Sequence, residues 1–285
     1  MKGNVLVLGA GKHIQNLILK AFLIIWAVIV IYPLLWMVIS SFKDTNGIFL
    51  STWSLPDVLH WENYKTAWVD YSIGRAFLNT MYVTVLATVL NLLLSIPTAY
   101  AIERYTFKGN RALMNFYLMA MMIPACMSWI PLYFLLNQFH MLDNLTILAL
   151  IYAISKMPFS IYILSSFIGA VPAALEEAAV IDGMSRYGIL FRLIPHLIRS
   201  GIITVVVMNV IQFWSEYFMA LILLQTPEKK TLGVMMNVLS NNAEHQNAWG
   251  ALFAGLVIST LPVVIIYATL NKHVVKGMMQ GALKG

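Results

Sequence analysis

Long apolar runs without charged residues recur along the whole sequence, and they limit the fold more than any other feature. A helix needs about 20 apolar residues to cross a hydrocarbon core roughly 30 Å thick. Six runs reach this length, at positions 18–42, 76–102, 112–138, 145–170, 200–224 and 249–271. Because 60% of the residues are hydrophobic and only 11% are charged, the chain lacks the charged surface of a soluble globule. The sequence therefore predicts an all-α polytopic membrane protein with six transmembrane helices.

The lysines and arginines outside these runs predict the orientation. With an even number of spans, both termini lie on one side of the membrane. Twelve of these cations fall on the side of the termini and five on the other side. The positive-inside rule then places both termini in the cytoplasm. Segments 43–73 and 225–248 become external, and residues 171–198 form a cytoplasmic insert between the fourth and fifth spans.

Several classes of function are disfavoured by the residue types present. The one cysteine, Cys126, cannot form a disulfide or a cysteine metal cluster within the chain. The net charge of +6 is spread without a basic stripe, so no nucleic-acid partner is expected. The histidines are scattered over tails and loops, which argues against a metal site or a membrane enzyme. No phosphate-binding loop is present either.

Two charges fall within predicted spans, where an unpaired charge costs about 2.5–3.5 kcal/mol. Lys156 lies in the fourth span and Glu216 in the fifth. Both are predicted to line a translocation path for a polar substrate. Nearby polar and aromatic residues complete this path: Asn209, Gln212, Trp214 and Tyr217. Two alternatives stay open: Lys156 pairs with Glu216 between the spans, or Glu216 lies high enough to meet external water.

The cytoplasmic insert has the pattern of two short helices around a glycine turn. Pro172 suits the first position of a helix over 172–182, whose early turns carry two glutamates where the helix dipole favours them. Gly183 can end this helix in the left-handed conformation. Ser185 can then cap a second helical segment. A thin helix of this kind suits docking into a groove of another protein, although an amphipathic loop on lipid headgroups has the same pattern.

The run Glu177, Ala178 and Ala179, followed by Asp182 and Gly183, closely resembles the EAA loop of the membrane subunits of bacterial ABC importers. In that family, E-A-A is followed by a glycine and, further on, by I-x-L-P. The match holds through the glycine. This resemblance identifies the insert as an EAA loop.

The end of the motif departs from the family pattern. Leu193 occupies the isoleucine position, but Pro195 and His196 stand where leucine and proline are expected. The wider resemblance is to the carbohydrate branch, and specifically to the six-span maltose-transporter-like subunit. The stretches that carry it are YPLLWMVISSFK, ENYKTAW, TAYAIERYTFKGNR, MPFSIYILSSF, QFWSEYFMALILLQTPEKKTLGV and VKGMMQGALKG.

The resemblance implies a division of labour in the bacterial cytoplasmic membrane. This chain would be a multi-pass permease for a sugar or oligosaccharide, paired with a homologous second permease as a heterodimer. Two cytoplasmic ATPase subunits would hydrolyse ATP with Mg²⁺, so the chain itself would bind no cofactor. An extracytoplasmic sugar-binding protein would deliver the substrate. Trp53, Trp61 and Tyr64 in one external segment, and the region 225–248 in the other, are candidate docking positions for it, with interfacial anchoring as the alternative.

The same resemblance implies roles within the insert. The segment from Glu177 to Gly183 would be a coupling helix seated in a cleft of the ATPase subunit. Glu177 would make the charged contact, Gly183 the turn, and Ala178 and Ala179 would allow close approach. The full predicted coupling set is Glu176, Glu177, Ala178, Ala179, Asp182 and Gly183.

Two other functions compete with this interpretation. One is an ABC permease for another solute, such as a peptide. The other is a secondary transporter, in which an ion gradient acts through charges such as Lys156 and Glu216. The second predicts uptake without an ATPase.

Overall fold

The protein is described by a computed structural model, which gives the backbone of residues 3–282 and the side chains of residues 15–269. The described backbone is mostly helical and contains no β-strand, as the sequence predicts. Its α-helices are α1 (Gly3–Ser40), α2 (Thr45–Leu50), α3 (Glu62–Lys65), α4 (Ile73–Arg104), α5 (Asn110–Met122), α6 (Trp129–Gln138), α7 (Leu145–Ser155), α8 (Met157–Gly169), α9 (Ala173–Ile181), α10 (Arg186–Gly188), α11 (Ile194–Leu197), α12 (Arg199–Trp214), α13 (Phe218–Leu223), α14 (Leu232–Gln246) and α15 (Trp249–Ala282).

Between three and six of these elements can cross a membrane. The helices that are long and apolar enough by themselves are Gln15–Ser40, Ile73–Arg104 and Trp249–Thr269. The bent pairs that qualify only together are Asn110–Met122 with Cys126–Gln138, Leu145–Ser155 with Met157–Gly169, and Arg186–Leu197 with Arg199–Trp214. The described chain is thus an all-α protein with several apolar spans.

The third predicted span, 112–138, is not one helix. Helix α5 ends at Met122, and the chain bends by 100° before the helix resumes. Pro124 lies at this bend and has no N–H to offer the carbonyl of Ala120. The two halves still qualify together as one bent span, so the predicted crossing at 112–138 stays a prediction.

The fourth predicted span, 145–170, is divided more gently. Helices α7 and α8 meet at Lys156 with a bend of 48°. Pro158 follows in the first turn of α8 and cannot donate to the carbonyl of Ile154. The lysine therefore lies at an interruption of the helix and not on a continuous helical face.

The fifth predicted span, 200–224, also differs from the structure. Helix α12 ends at Trp214, and α13 begins only at Phe218. Glu216 lies in the break and accepts hydrogen bonds from the backbone N–H groups of Met219 and Ala220, at 2.7 and 3.1 Å. This capping starts a new helix, so the expectation of one helix across Glu216 is corrected.

The described chain forms two compact units, one from residues up to Asp70 together with Leu239–Ile258, the other from Tyr71–Val238 together with residues from Ser259 onward. In the first unit, the segment after α1 folds back through polar contacts. The Nδ2 atom of Asn63 donates to the carbonyls of Ser41 and Lys43, both at 2.9 Å.

In the second unit, helix α4 packs against α7, α8 and α12. The α4 residues buried there are mostly small and recur every three or four positions: Thr80, Thr84, Ala87, Thr88, Asn91, Ser95 and Ala99. Small side chains let helix backbones approach closely, which is how helices associate where lipid removes the hydrophobic driving force. Helix α4 is therefore the central helix of this unit.

Candidate functional site

The first candidate site is the EAA loop, residues 171–198. Its first helix, α9, begins after Pro172 and ends where Gly183 takes a φ of +81°. The N–H of Gly183 donates to the carbonyl of Val180 at 3.0 Å, and that of Met184 to the carbonyl of Ala179 at 2.9 Å. These two bonds form a Schellman motif, which needs a residue that tolerates positive φ. The predicted left-handed glycine end is confirmed.

The second part of the loop also follows its local sequence. The hydroxyl of Ser185 accepts a hydrogen bond from the N–H of Gly188 at 3.1 Å, as predicted for a cap. A π-helical segment, Ile189–Leu193, follows. Pro195 cannot donate to the carbonyl of Phe191, which interrupts the ordinary pattern of helical bonds. The loop then bends by 78° into α12.

The two glutamates of α9 have different surroundings. Glu176 is largely buried, with 13% of its side chain exposed, and accepts from Arg104 Nε at 2.6 Å and from the Tyr100 hydroxyl at 2.7 Å. The Nη2 atom of Arg104 also donates to the carbonyl of Val171 at 2.7 Å. Glu177 is exposed. Glu176 therefore ties α9 to the end of α4, while Glu177 is available to a partner.

Sequence reasoning missed the residues that hold Glu176. Arg104 and Tyr100 lie in the last turns of α4, within the stretch TAYAIERYTFKGNR that carries part of the family resemblance. The sequence signal that could have pointed to Arg104 is its position as a charged residue at the end of an apolar span. Its partner could not be found in this way, because Glu176 lies 72 residues further along the chain.

The outer surface of the EAA loop is strongly apolar. Ile181 is 85% exposed and Tyr187 77% exposed, with Phe191 at 55%. A groove of 800 Å³ runs between the two helical parts. Among its lining residues are the predicted positions Ala178, Ala179, Asp182 and Gly183, of which only Ala179 is buried. A surface with this much exposed apolar area is typical of contact with another protein or with a membrane.

The second candidate site is a cavity of 440 Å³, called the membrane cavity below. The divided helices border it, because its lining comes from the end of α5 and the bend after Met122, the α7–α8 break and the middle of α12. The lining residues are Ala120, Met121, Ile123, Pro124, Ala125, Ser155, Lys156, Pro158, Phe159, Met208, Asn209 and Gln212. Three of the six predicted path residues, Lys156, Asn209 and Gln212, are thus brought together.

A buried amide chain holds one wall of the membrane cavity. Asn209 Nδ2 donates to Asn91 Oδ1 at 2.8 Å, and Asn91 Nδ2 donates to the carbonyl of Ala153 at 2.8 Å. Asn91 is fully buried. Sequence reasoning missed it, although it is an isolated amide in the apolar run TVLNLLLS. These two hydrogen bonds link α12, α4 and α7 just beside the break at Lys156.

The other three predicted path residues lie outside the membrane cavity lining. Trp214 is buried, and its Nε1 donates to the carbonyl of Ser259 at 2.9 Å. Tyr217 contacts the ring of Phe218, with centroids 5.0 Å apart. Their contacts are those of packing residues.

Glu216 does not pair with Lys156 in the described structure. Its carboxylate accepts hydrogen bonds from the Tyr152 hydroxyl and from two N–H groups of α13. The described residues offer Lys156 Nζ no ion pair and no hydrogen bond. The pairing alternative is therefore wrong for these two residues within this chain.

The candidate docking residues have unequal exposure. Trp53 is 77% and Trp61 62% exposed, whereas the Tyr64 hydroxyl is within 2.8 Å of the Ser41 hydroxyl and its ring lies against Phe42. Of these three candidates, only Trp53 and Trp61 expose their rings at the surface of the described chain. Their role in docking stays a prediction.

Known proteins resemble this chain in sequence and in fold. Residues 91–280 match the family described as binding-protein-dependent transport system inner membrane component. The chain is 34% identical over 264 residues to the diacetylchitobiose uptake system permease protein NgcG of Streptomyces coelicolor, covering 93% of this chain and 87% of that protein.

Two solved structures share the fold. One is a bacterial ABC transporter involved in the import of the acidic polysaccharide alginate, with a TM-score of 0.79, 23% identity, and coverage of 92% of this chain and 97% of that chain. The other is a bacterial alginate ABC transporter in complex with alginate pentasaccharide-bound periplasmic protein, with a TM-score of 0.63, 17% identity, and coverage of 90% and 94%. By its sequence match over most of its length, the chain belongs to the binding-protein-dependent transport system inner membrane components, the permease subunits of ABC transporters.

Proposed function

We propose that this chain is the membrane-spanning permease of an ATP-driven ABC importer for a sugar or oligosaccharide. The observation that carries this proposal is the EAA loop, a capped helix and glycine turn that expose Ile181, Tyr187 and Phe191 around a groove. Since these side chains are left uncovered by the residues that the structure describes, they suit a cytoplasmic ATPase subunit. The sugar is supported by the diacetylchitobiose and alginate systems to which the chain is similar.

The proposed topology has six spans: the three long helices, α5 with α6, α7 with α8, and α12 with α13 after the EAA loop. Both termini and the EAA loop then lie in the cytoplasm, and segments 43–73 and 225–248 lie outside. The distribution of lysine and arginine supports this orientation. The breaks near Pro124 and Lys156 are tolerable at membrane depth because they border a cavity instead of lipid.

Three kinds of partner complete the proposed importer. A homologous second permease shares the translocation path, two ATPase subunits hydrolyse ATP with Mg²⁺, and an extracytoplasmic protein delivers the sugar. The periplasmic protein in the solved alginate complex supports the last of these. This chain binds no cofactor of its own in the proposal.

Coupling in this proposal runs from α9 to α4. Glu177 and the exposed apolar residues contact the ATPase, while Glu176 transmits the displacement of α9 through Arg104. Arg104 holds both Glu176 and the carbonyl of Val171, so it grips the loop on two sides of Pro172. Two short charge-assisted hydrogen bonds hold the loop more firmly than a lone apolar contact would. Helix α4 then moves against α7, α8 and α12, which line the membrane cavity.

The proposed path runs through the membrane cavity. Lys156 and Gln212 offer polar groups to a substrate, and Phe159 offers a ring to an apolar sugar face. Asn209 is partly committed to Asn91, so it shapes the wall as much as it binds. Trp214, Glu216 and Tyr217 support the fold around this path.

The test is uptake by the whole importer, reconstituted in lipid vesicles with the proteins encoded beside this chain. Sugar uptake should require ATP and both ATPase subunits, and sugar should stimulate ATP hydrolysis. Gly183→Pro removes the positive φ that the turn needs, and Glu177→Lys reverses the exposed charge. Both are expected to uncouple hydrolysis from uptake while the chain still inserts. Uptake that persists without the ATPase, or that selects a peptide, contradicts the proposal.

A matched pair of apolar variants tests the interface itself. Ile181→Ser alters a side chain that is 85% exposed, and Val58→Ser one that is 65% exposed in the predicted external segment. Neither should disturb packing within the chain. Ile181→Ser is expected to reduce co-purification of the ATPase subunits, and Val58→Ser is not. If the ATPase subunits co-purify equally with both variants, the EAA loop is not part of the interface.

A further inference from the structure

Lys156 lies in the proposed path, but the proposed importer does not by itself say which group neutralises its charge. It lies where α7 and α8 meet, is half-buried, and lines the membrane cavity together with Ser155, Asn209 and Gln212. An ionisable side chain at this depth is retained only where it faces protein, water or a ligand. The question is which group neutralises its charge.

The described residues supply no counter-charge. No aspartate or glutamate lines the membrane cavity. Glu216 is the carboxylate expected from sequence, but its oxygens are taken by Tyr152 and by the N–H groups of α13. Within residues 15–269, Lys156 Nζ has neither an ion pair nor a hydrogen bond.

Another lysine of the same chain, Lys43, also borders a cavity but has partners of its own. Lys43 is 2% exposed, and its Nζ donates to the carbonyls of Ser51 and Thr52, at 2.7 and 3.3 Å. At Lys43 the chain thus satisfies the ammonium group with its own carbonyls. The described residues offer no such carbonyl to Lys156.

The rest of the lining fits a hydroxylated ligand. Gln212 is exposed to the cavity side of α12, and Phe159 follows Pro158 at the start of α8. Amide groups pair with hydroxyls, and an aromatic ring packs on the apolar face of a sugar ring. The volume of 440 Å³ is in the usual range for a small-molecule site.

We infer that Lys156 binds an anionic substituent of the transported sugar, so that the substrate class is an acidic saccharide such as a uronic-acid oligosaccharide. This inference rests on the proposed sugar importer and names the substrate class of its membrane cavity. Carboxylate, sulfate and phosphate substituents share the required chemistry, since each offers oxygen acceptors and negative charge to an ammonium group. The rival source of negative charge is a carboxylate of the second permease.

The experiment measures ATP-dependent uptake by the complete importer in vesicles. The probes are a mannuronic-acid trisaccharide, a galacturonic-acid trisaccharide and the neutral maltotriose and diacetylchitobiose. Uptake efficiency, kcat/KM, is compared for the natural chain, Lys156→Gln and Lys156→Arg. The matched control is Lys108→Gln, at an exposed lysine outside the membrane cavity.

The natural chain is expected to take up a uronic-acid trisaccharide. Lys156→Gln is expected to lower kcat/KM for this trisaccharide about tenfold or more, because one charged hydrogen bond is lost. Lys156→Arg should retain most of the uptake, and Lys108→Gln should match the natural chain. Uptake of neutral sugars alone, or equal losses for acidic and neutral sugars in Lys156→Gln, overturns the inference. The second result assigns Lys156 to a carboxylate of the second permease. Uptake of no saccharide at all contradicts the proposed function instead.

Discussion

Glu216 shows how a carboxylate inside a membrane protein can be satisfied without a cation. Its two oxygens accept from the Tyr152 hydroxyl and from the N–H groups of Met219 and Ala220. The N–H groups at the start of a helix favour negative charge, so α13 supplies part of the stabilisation that a lysine would otherwise give. The residue therefore fixes the break between α12 and α13.

Replacing this carboxylate separates a structural role from a path role. Glu216→Ala leaves the hydroxyl of Tyr152 and two N–H groups without their partner, and we expect a loss of about 1–3 kcal/mol in the free energy of unfolding. Glu216→Gln keeps one acceptor oxygen and should lose less. Denaturant unfolding in detergent measures both, with Glu244→Ala at an exposed position as the control. If the Glu216→Ala variant has normal stability but fails to transport, Glu216 has a role in the translocation path and not in the fold.

At the scale of elements, the contact between α4 and α9 concentrates on a few atoms. Arg104 is the last residue of α4 and donates to both Glu176 and Val171, at 2.6 and 2.7 Å. The side chains of Arg104 and Glu176 are only 16% and 13% exposed, so solvent screens this pair less than a surface pair. This geometry makes Arg104 a positioning residue for the EAA loop.

A double-mutant cycle tests that role. Arg104→Gln and Glu176→Gln should each reduce the sugar transported per ATP hydrolysed, and the double variant should be little worse than either single one, because all three lack the same contact. A coupling energy of about 1–3 kcal/mol in unfolding should accompany this pattern. Arg111→Gln, at an exposed arginine, is the matched control. Additive effects on the transport ratio would show that the two residues act separately.

A second element-scale contact holds the loop before α14. Asp143 accepts from the N–H groups of Gln225 and Thr226, both at 3.0 Å, and from Lys229 Nζ at 3.0 Å. Burial alone would raise the pKa of Asp143, but the hydrogen bonds from Thr226, Lys229 and Gln225 outweigh it and hold the pKa well below its usual range. The carboxylate thus stays charged in the folded protein at moderately acid pH.

The lowered pKa predicts how stability depends on pH. Since the folded-state pKa lies below the unfolded value of about 3.9, the stabilisation is complete above that value and declines as the pH falls toward the folded-state pKa. Asp143→Asn should lower the free energy of unfolding by about 1–2 kcal/mol at pH 7, allowing for the partial exposure of Lys229. Thermal unfolding at pH 7, 5 and 3.5 should show this difference shrinking only at the lowest value. A difference that is constant across all three would contradict the assignment, and Asp57→Asn serves as the exposed control.

For the whole molecule, local sequence predicted local structure well. The helix end at Gly183 and the cap at Ser185 depend on residues within one or two turns, and both are confirmed. The partners of Glu216 and Arg104 were beyond such reasoning, because they lie 64 and 72 residues away in the sequence. A proline could be located from sequence, but whether it bends a helix or divides it depends on what fills the space beside it.

The number of crossings is the remaining property of the whole molecule, and two positions test whether the chain crosses between residues 186 and 241. If only the three long helices cross the membrane, residues 186 and 241 both lie between the second and third crossings, on one side. If each bent pair also crosses, they lie on opposite sides. Asp57 lies between the first two long helices in either case and is on the outer side in the proposed topology.

Cysteine labelling should therefore show the crossing between residues 186 and 241 that the proposed six-span topology requires. In a Cys126→Ser background, single cysteines replace Asp57, Arg186 and Asn241, all exposed in the chain. A membrane-impermeant maleimide added to intact spheroplasts should label Asp57→Cys and Asn241→Cys, and should label Arg186→Cys only after the membrane is opened. Equal labelling of Arg186→Cys and Asn241→Cys from one side would mean that the chain does not cross between them, which contradicts the six-span topology. The EAA loop would then share a compartment with segment 225–248, and no ATPase could dock where the proposed coupling requires it.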